Sequence, residues 1–120
     1  MSRRDTAWLA DILAAIDAID SYLAEGDLSQ GVVYDACRAR LIEIGEAVKH
    51  LDSKLLHHAP DIHWRAIARM RDQLAHHYFD TDHAIVTQAV SEQLPYLRGA
   101  VTSLIADVDY QPDQPDQPAP

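Results

Sequence analysis

Apolar residues recur at every third or fourth position along most of the 120-residue chain, the spacing of one face of an α-helix. In the first segment, Asp5 or Thr6 can serve as the N-cap and Gly26 as the stop. The apolar stripe of that segment comprises Trp8, Ile12, Ile16, Ile19 and Leu23. No segment alternates apolar and polar residues over the length of a strand. The pattern therefore predicts an all-α fold.

The same pattern, together with residues that start or stop helices, predicts four further helices. The second helix covers roughly residues 28–51, and the third begins at Pro60 and reaches about His76 or Tyr78. Asp82 is placed to cap a fourth helix that continues through Leu94. Pro95 suits the first turn of a fifth helix, which ends near residue 107. We therefore expect an antiparallel bundle of four to five helices.

The helical pattern predicts one domain over residues 1–108 and a tail over residues 109–120. The last ten residues, QPDQPDQPAP, repeat Q-P-D and contain four prolines. Such a composition is typical of an extended, polyproline-like segment that joins no core. We expect the tail to be disordered.

The composition limits the classes of partner and compartment. A net charge of −9 makes the chain a poor general binder of nucleic acid, because that binding rests on neutralising phosphates. A single cysteine excludes an intrachain disulfide framework and suits a reducing compartment. Aspartates interrupt the apolar run that a signal peptide needs, and no stretch approaches the roughly 20 apolar residues of a membrane span. We expect a cytoplasmic protein that makes no membrane contact.

The chemistry concentrates in one segment, RMRDQLAHHYFD, at residues 69–80. Residues 63–78 carry three arginines and one acid, which makes this the most cationic part of an acidic chain. On a helix, Arg71 shares a stripe with apolar neighbours, where a guanidinium needs a carboxylate, a phosphate or a partner chain. His76 follows Asp72 by one turn, a spacing at which a carboxylate can hold an imidazole in one tautomer.

Arg71 and His76 are five residues apart, so on a straight helix they point about 140° away from each other. Either the helix loosens near Ala75, or two copies of the chain meet and share a cleft. A second copy would also explain Gly45 in the middle of the second helix, since a mid-helix glycine is easiest to justify where another helix packs closely.

Two simpler interpretations of the segment remain open. Arg71 can form a structural ion pair with Glu43 or Glu46 of the second helix. The seven histidines can suggest a metal site, but two of their groupings are adjacent pairs whose members point to different faces. No HExxH or similar helical ligand set occurs, so we expect neither a metal nor another cofactor.

The stretches RLIEIGEAVKHL, PDIHWRAIARMRDQLAHHYFDTD and LPYLRGAV closely resemble the HepT-like proteins (the DUF86 family) of the HEPN superfamily. The resemblance spans roughly residues 5–106. The signature of that family is an arginine, four residues, a histidine, one residue and a tyrosine. Here it appears as Arg71, His76 and Tyr78. Asp72 departs from the asparagine or other polar residue that usually follows the arginine.

The resemblance implies a small helical bundle that pairs as a homodimer and acts as a metal-independent ribonuclease toxin. Arg71 and His76 would then be catalytic, with Asp72 orienting His76, and the substrate would be a tRNA or mRNA. The implied antitoxin is a minimal nucleotidyltransferase that transfers AMP to Tyr78 and that can join the dimer in a higher assembly. An alternative is a non-catalytic helical binding and dimerisation module that assists such a nucleotidyltransferase.

Overall fold

The computed structural model describes residues 3–76 and 79–110, and side chains over residues 4–76 and 82–107. All regular structure in these residues is helical, as the apolar pattern predicts. There are five longer helices, a one-turn helix and one π-helical turn. They are α1 (Arg3–Glu25), α2 (Gly31–Lys49), α3 (Ser53–Leu56), α4 (Trp64–Ala75), α5 (Phe79–Gln88), the π turn (Ala89–Gln93) and α6 (Leu94–Tyr110).

Helices α1 and α2 form an antiparallel pair at the centre of the bundle. The Trp8 ring stacks on His50 at a centroid distance of 4.5 Å, and at the other end Arg40 Nε donates to the Tyr22 hydroxyl at 3.0 Å. Gly26 does end α1, as predicted. The predicted cap at Asp5 or Thr6 is wrong, because α1 already begins at Arg3 and both residues lie inside its first turns.

The connection between α2 and α4 is longer than the sequence pattern indicates. Asp52 caps the one-turn helix α3 by accepting from the Lys54 backbone N–H at 2.9 Å, and we did not predict this helix. Helix α4 then begins at Trp64 instead of Pro60. The indole of Trp64 donates to the Ala59 carbonyl at 2.9 Å, so a core side chain also fixes the connecting segment.

The last two predicted helices are joined without a break. The Leu94 N–H donates to the Ala89 carbonyl, five residues back, and this wider turn carries the chain past Pro95, which has no N–H to donate. The predicted cap at Asp82 is also wrong. Helix α5 begins at Phe79, and the buried carboxylate of Asp82 turns inward to Arg38. Helix α6 continues to Tyr110, three residues beyond its predicted end.

The core lies between α1, α2, α4 and α6, where α2 packs against both α1 and α4. Its largest fully buried aliphatic side chains include Leu9, Ile12, Ile16, Ile19, Leu41, Ile44, Leu74, Leu97 and Val101. The stripe predicted for the first helix thus faces the core through its isoleucines. In the described residues, no helix is long and apolar enough to cross a membrane. The division into a domain of residues 1–108 and a tail stays a prediction, since residues 111–120 lie outside the described residues.

Candidate functional site

Arg71 occupies the face of α4 that packs against α2. Its neighbours on that stripe, Ile67 and Leu74, are buried, whereas the Arg71 side chain keeps 35% of its surface exposed. A Cβ built on Gly45 would clash with the Cβ of Arg71, so glycine is required for this close approach of α2 and α4. The predicted close packing at Gly45 is confirmed, but the packing helix belongs to the same chain. Gly45 therefore gives no support for a second copy.

The Arg71 guanidinium is held by two carboxylates. Its Nε is buried and lies 3.2 Å from Glu46 Oε1, an ion-pair distance without the alignment of a hydrogen bond. Its Nη1 donates to Asp72 Oδ1 at 3.2 Å, and the same oxygen accepts from Lys49 Nζ at 3.0 Å. Of the two carboxylates proposed as structural partners of Arg71, Glu46 does pair with it, whereas Glu43 pairs with Arg40.

Asp72 is the point where the two cations meet. Hydrogen bonds from Lys49 and then from Arg71 lower the pKa of Asp72 below its ordinary value, because both donors favour the ionised carboxylate. The carboxylate therefore stays charged at neutral pH. The prediction that Asp72 orients His76 is not decided by these contacts, which place the carboxylate between Lys49 and Arg71.

His76 lies just beyond the last residue of α4 and forms its C-cap. The His76 backbone N–H donates to the carbonyls of Gln73 and Leu74, and the residue is exposed. His76 keeps right-handed helical backbone angles, with φ of −86° and ψ of −4°. Its side chain therefore leaves α4 close to the direction of one further helical residue, and the angular separation from Arg71 expected on a helix still applies. Tyr78 lies outside the described residues.

A buried ion pair joins the two helices on either side of His76. Arg38 of α2 donates from Nη2 to the carbonyl of Leu74, near the end of α4, and its Nε lies 3.2 Å from Asp82 Oδ2 in α5. Only 16% of the Arg38 side chain and 5% of the Asp82 side chain is exposed. One guanidinium thus connects the end of α4 to α5.

Sequence reasoning missed Arg38 and Lys49, whose partners are 36 and 23 residues away. Gly45 is the sequence feature that could have predicted a contact of Lys49 with another helix. Close packing at Gly45 brings the residue four positions further along the same face, Lys49, next to the facing helix. Across the described residues, no group of three histidine, cysteine, aspartate or glutamate side chains could hold a metal ion.

These features define a small all-α protein with an arginine and a histidine at the end of one helix. The chain belongs to the family described as "Ribonuclease HepT-like", whose sequence profile matches residues 12–104. It is 36% identical over 110 residues to the "Probable ribonuclease HepT" of Thermococcus cleftensis, an alignment that covers 87% of this chain and 98% of the relative. It is 30% identical over 114 residues to the "Putative RNase MJ0125" of Methanocaldococcus jannaschii, covering 91% of this chain and 98% of the relative. No solved structure matches the chain.

Proposed function

We propose that the protein is a metal-independent endoribonuclease, the toxin of a type VII-like toxin–antitoxin pair. The observation that carries the proposal is the partly exposed Arg71 guanidinium on the helix that ends beside His76, in a chain of the ribonuclease HepT-like family. The names of both relatives refer to ribonucleases, which supports RNA as the substrate. Cleavage of a tRNA or an mRNA at a restricted site suits a chain whose overall charge is −9.

The proposed chemistry uses the nucleophile that RNA itself carries, the ribose 2′-hydroxyl. His76 acts as a general acid or base on the 2′-hydroxyl proton or the leaving 5′ oxygen, because an imidazole changes charge near neutral pH. Arg71 binds the scissile phosphate and stabilises the negative charge that develops on it. Asp72 and Glu46 hold the guanidinium from two sides, so that Arg71 is already positioned when RNA binds.

The proposed silencing step is the transfer of AMP from ATP to the Tyr78 hydroxyl by a cognate nucleotidyltransferase. Tyr78 is two residues from His76 in the sequence. A bulky group with a negative phosphate at this position would repel RNA near the catalytic residues. In the same proposal, two copies pair as a homodimer and the nucleotidyltransferase joins them as the antitoxin.

A non-catalytic binding module that assists a nucleotidyltransferase is the second candidate. It is favoured by the two carboxylates that pair with Arg71, since they already neutralise much of the charge that catalysis would use. In this alternative Arg71 contacts a phosphate but the RNA is not cleaved. A phosphate clamp alone needs neither His76 nor Tyr78, so we prefer the ribonuclease.

The test compares the wild-type protein with the Arg71→Ala and His76→Ala variants on total tRNA and on mRNA, with EDTA present. Any AMP on Tyr78 is first removed, and its presence is checked by intact mass. Fragments from the wild type alone support the proposal. Intact RNA with all three proteins supports the binding module. Sedimentation of the wild type tests the homodimer separately.

A further inference from the structure

An open groove with a cavity volume of about 880 Å³ runs along the outer side of α4. The end of α2, the one-turn helix α3, the segment that connects α3 to α4, and the first half of α4 form its walls. We refer to it as the basic groove, after the five basic side chains that line it. These are Lys49, His57, His63, Arg65 and Arg69.

The charge of the basic groove is opposite to that of the protein as a whole. Among the described residues that line the groove there is no aspartate or glutamate, although the chain carries 19 acids against 10 lysines and arginines. Arg65 and Arg69 are exposed, and neither makes an ion pair within residues 4–76 and 82–107. Two exposed cations on one wall, with no ion pair to the residues whose side chains the structure describes, favour a polyanionic ligand.

The groove leads toward Arg71. Arg65 and Arg69 are one helical turn apart, about 6 Å along α4, and Asp72 follows on the same stripe. Lys49 lies both in the groove and 3.0 Å from Asp72, whose carboxylate also contacts Arg71. A continuous path of charged side chains thus connects the groove to the guanidinium that we assign to the scissile phosphate.

The start of α4 adds to the positive potential. Helix α4 begins without a side-chain cap, so the partial positive charge of its N-terminus faces the end of the groove at His63 and Trp64. The exposed rings of His57 and His63 offer surfaces on which unpaired bases can stack. Side chains that bind phosphates and rings that stack on bases are the two elements of single-strand recognition.

We propose that the basic groove binds the sugar–phosphate backbone of single-stranded RNA next to the phosphodiester that is cleaved. Arg65 and Arg69 contact phosphates beyond the scissile one, and Lys49 lies between them and Arg71. This inference rests on the proposed ribonuclease function, because only cleavage defines the phosphodiester next to which the groove binds. It explains how an acidic protein holds a polyanion, because the contact is confined to one groove.

The experiment measures binding and cleavage separately. Binding of a labelled single-stranded RNA oligonucleotide is followed by fluorescence anisotropy at several salt concentrations, on a His76→Ala background that keeps the RNA intact. The test variant adds Arg65→Ala and Arg69→Ala. The control variant adds Arg4→Ala and Arg40→Ala, two exposed or partly exposed arginines outside the groove, with the same change in net charge. Circular dichroism confirms that both variants fold.

We expect the groove variant to bind RNA about tenfold more weakly than the control. The negative slope of log K against log salt should become shallower by roughly 1.4, because two phosphate contacts are lost. In otherwise wild-type protein, Arg65→Ala with Arg69→Ala raises KM for the oligonucleotide more than KM for a dinucleoside monophosphate, because the only phosphate of the latter is the scissile one.

Each other outcome separates the inference from the proposed function. Cleavage by the wild type with equal RNA affinity in the groove and control variants overturns the groove and leaves the ribonuclease. RNA binding that needs the groove in a protein that never cleaves supports the groove and overturns the ribonuclease. A poly-glutamate peptide that binds as tightly as RNA, with the same dependence on Arg65 and Arg69, overturns the assignment to RNA.

Discussion

Gly45 of α2 and Arg71 of α4 are in backbone contact. A Cβ on Gly45 would lie 3.2 Å from the Arg71 Cα and 3.1 Å from the Ile67 carbonyl oxygen, in addition to its clash with the Arg71 Cβ. This contact lets Glu46, the residue after Gly45, reach the Arg71 guanidinium at 3.2 Å. The core packing of two helices therefore determines where the proposed phosphate-binding cation lies.

Gly45→Ala is expected to destabilise the protein even though alanine favours helices. Better helix propensity contributes about 1 kcal/mol in favour of alanine. The new methyl group, however, meets backbone atoms that cannot rotate away, and overpacking of this kind costs about 1–3 kcal/mol or more. We expect a net loss of up to about 2 kcal/mol in the free energy of unfolding, measured in urea.

Gly99→Ala is the matched control for that measurement. Gly99 lies in α6, and nothing stands within 4 Å of a Cβ built on it. The same substitution there should stabilise the protein by roughly 0.5–1 kcal/mol. If Gly45→Ala were as stabilising as Gly99→Ala, α2 and α4 could not be packed as closely as described.

The sequence predicts the helical class and the position of Gly26 because periodic apolar residues and helix stops are local signals. It fails where a distant partner decides the outcome. Asp82 looks like a cap by its local pattern, but burial against Arg38, 44 residues earlier, makes it an interior residue of α5. Pro95 looks like a helix start, but the π turn before it keeps the helix continuous.

For the candidate site, the sequence predicts the motif residues but not the side chains that pair with them. The motif itself identifies Arg71 and His76, and the glycine indicates that a helix packs close to α2. Which carboxylate holds Arg71, and that Lys49 meets Asp72, depend on the rotation of α2 against α4. The apolar stripe of each helix indicates which face packs, but it does not say which residues of α2 lie opposite which residues of α4.

Cys37 is expected to be unreactive in the folded protein. Its side chain is fully buried, and burial raises the pKa of the thiol, so the reactive thiolate is scarce at neutral pH. A chromogenic disulfide reagent should label Cys37 only in denaturant. Ala39→Cys, combined with Cys37→Ala, places a thiol on an exposed position of the same helix and should react at once. Rapid labelling of wild-type Cys37 would contradict its burial in the core.

Asp72→Asn distinguishes two roles for the carboxylate. Asp72 contacts Lys49 and Arg71, so loss of its charge should make the phosphate site more positive and lower KM for RNA about three- to tenfold. The asparagine oxygen can still accept from Arg71, so kcat should stay nearly the same. A fall in kcat with KM unchanged would instead show that the Asp72 charge positions a catalytic side chain, Arg71 or His76. Glu43→Gln, which removes an acid paired with Arg40, is the control for net charge.

The pH dependence of stability gives an independent check on Asp72. Its folded-state pKa lies below the ordinary value, so its ion pairs stabilise the fold above the ordinary pKa and this contribution is lost as the pH falls through the lowered pKa. The difference in urea midpoint between wild type and Asp72→Asn should be the same at about pH 6 and about pH 8 and should disappear in acid. The difference is expected to be small, because the carboxylate is half exposed.

Asp82→Ala is expected to be the most destabilising of these charge changes. It leaves the Arg38 guanidinium, which is 16% exposed, without its carboxylate, and breaking a buried pair in this way costs about 3–5 kcal/mol. Removing the exposed Arg40–Glu43 pair with Glu43→Ala should cost less than about 1 kcal/mol. Equal losses for the two variants would show that the Arg38–Asp82 pair is not buried.

The double variant Arg38→Met with Asp82→Leu separates stability from the placement of His76. Replacing both charges by apolar side chains should restore most of the stability that Asp82→Ala loses, because the two members of the buried pair are removed together. It also removes the hydrogen bond from Arg38 to the Leu74 carbonyl, two residues before His76. We therefore expect a folded protein in which the amide of His76 exchanges hydrogen faster and kcat for RNA falls, while KM changes little. Unchanged exchange at His76 together with unchanged kcat would show that the end of α4 is positioned without Arg38.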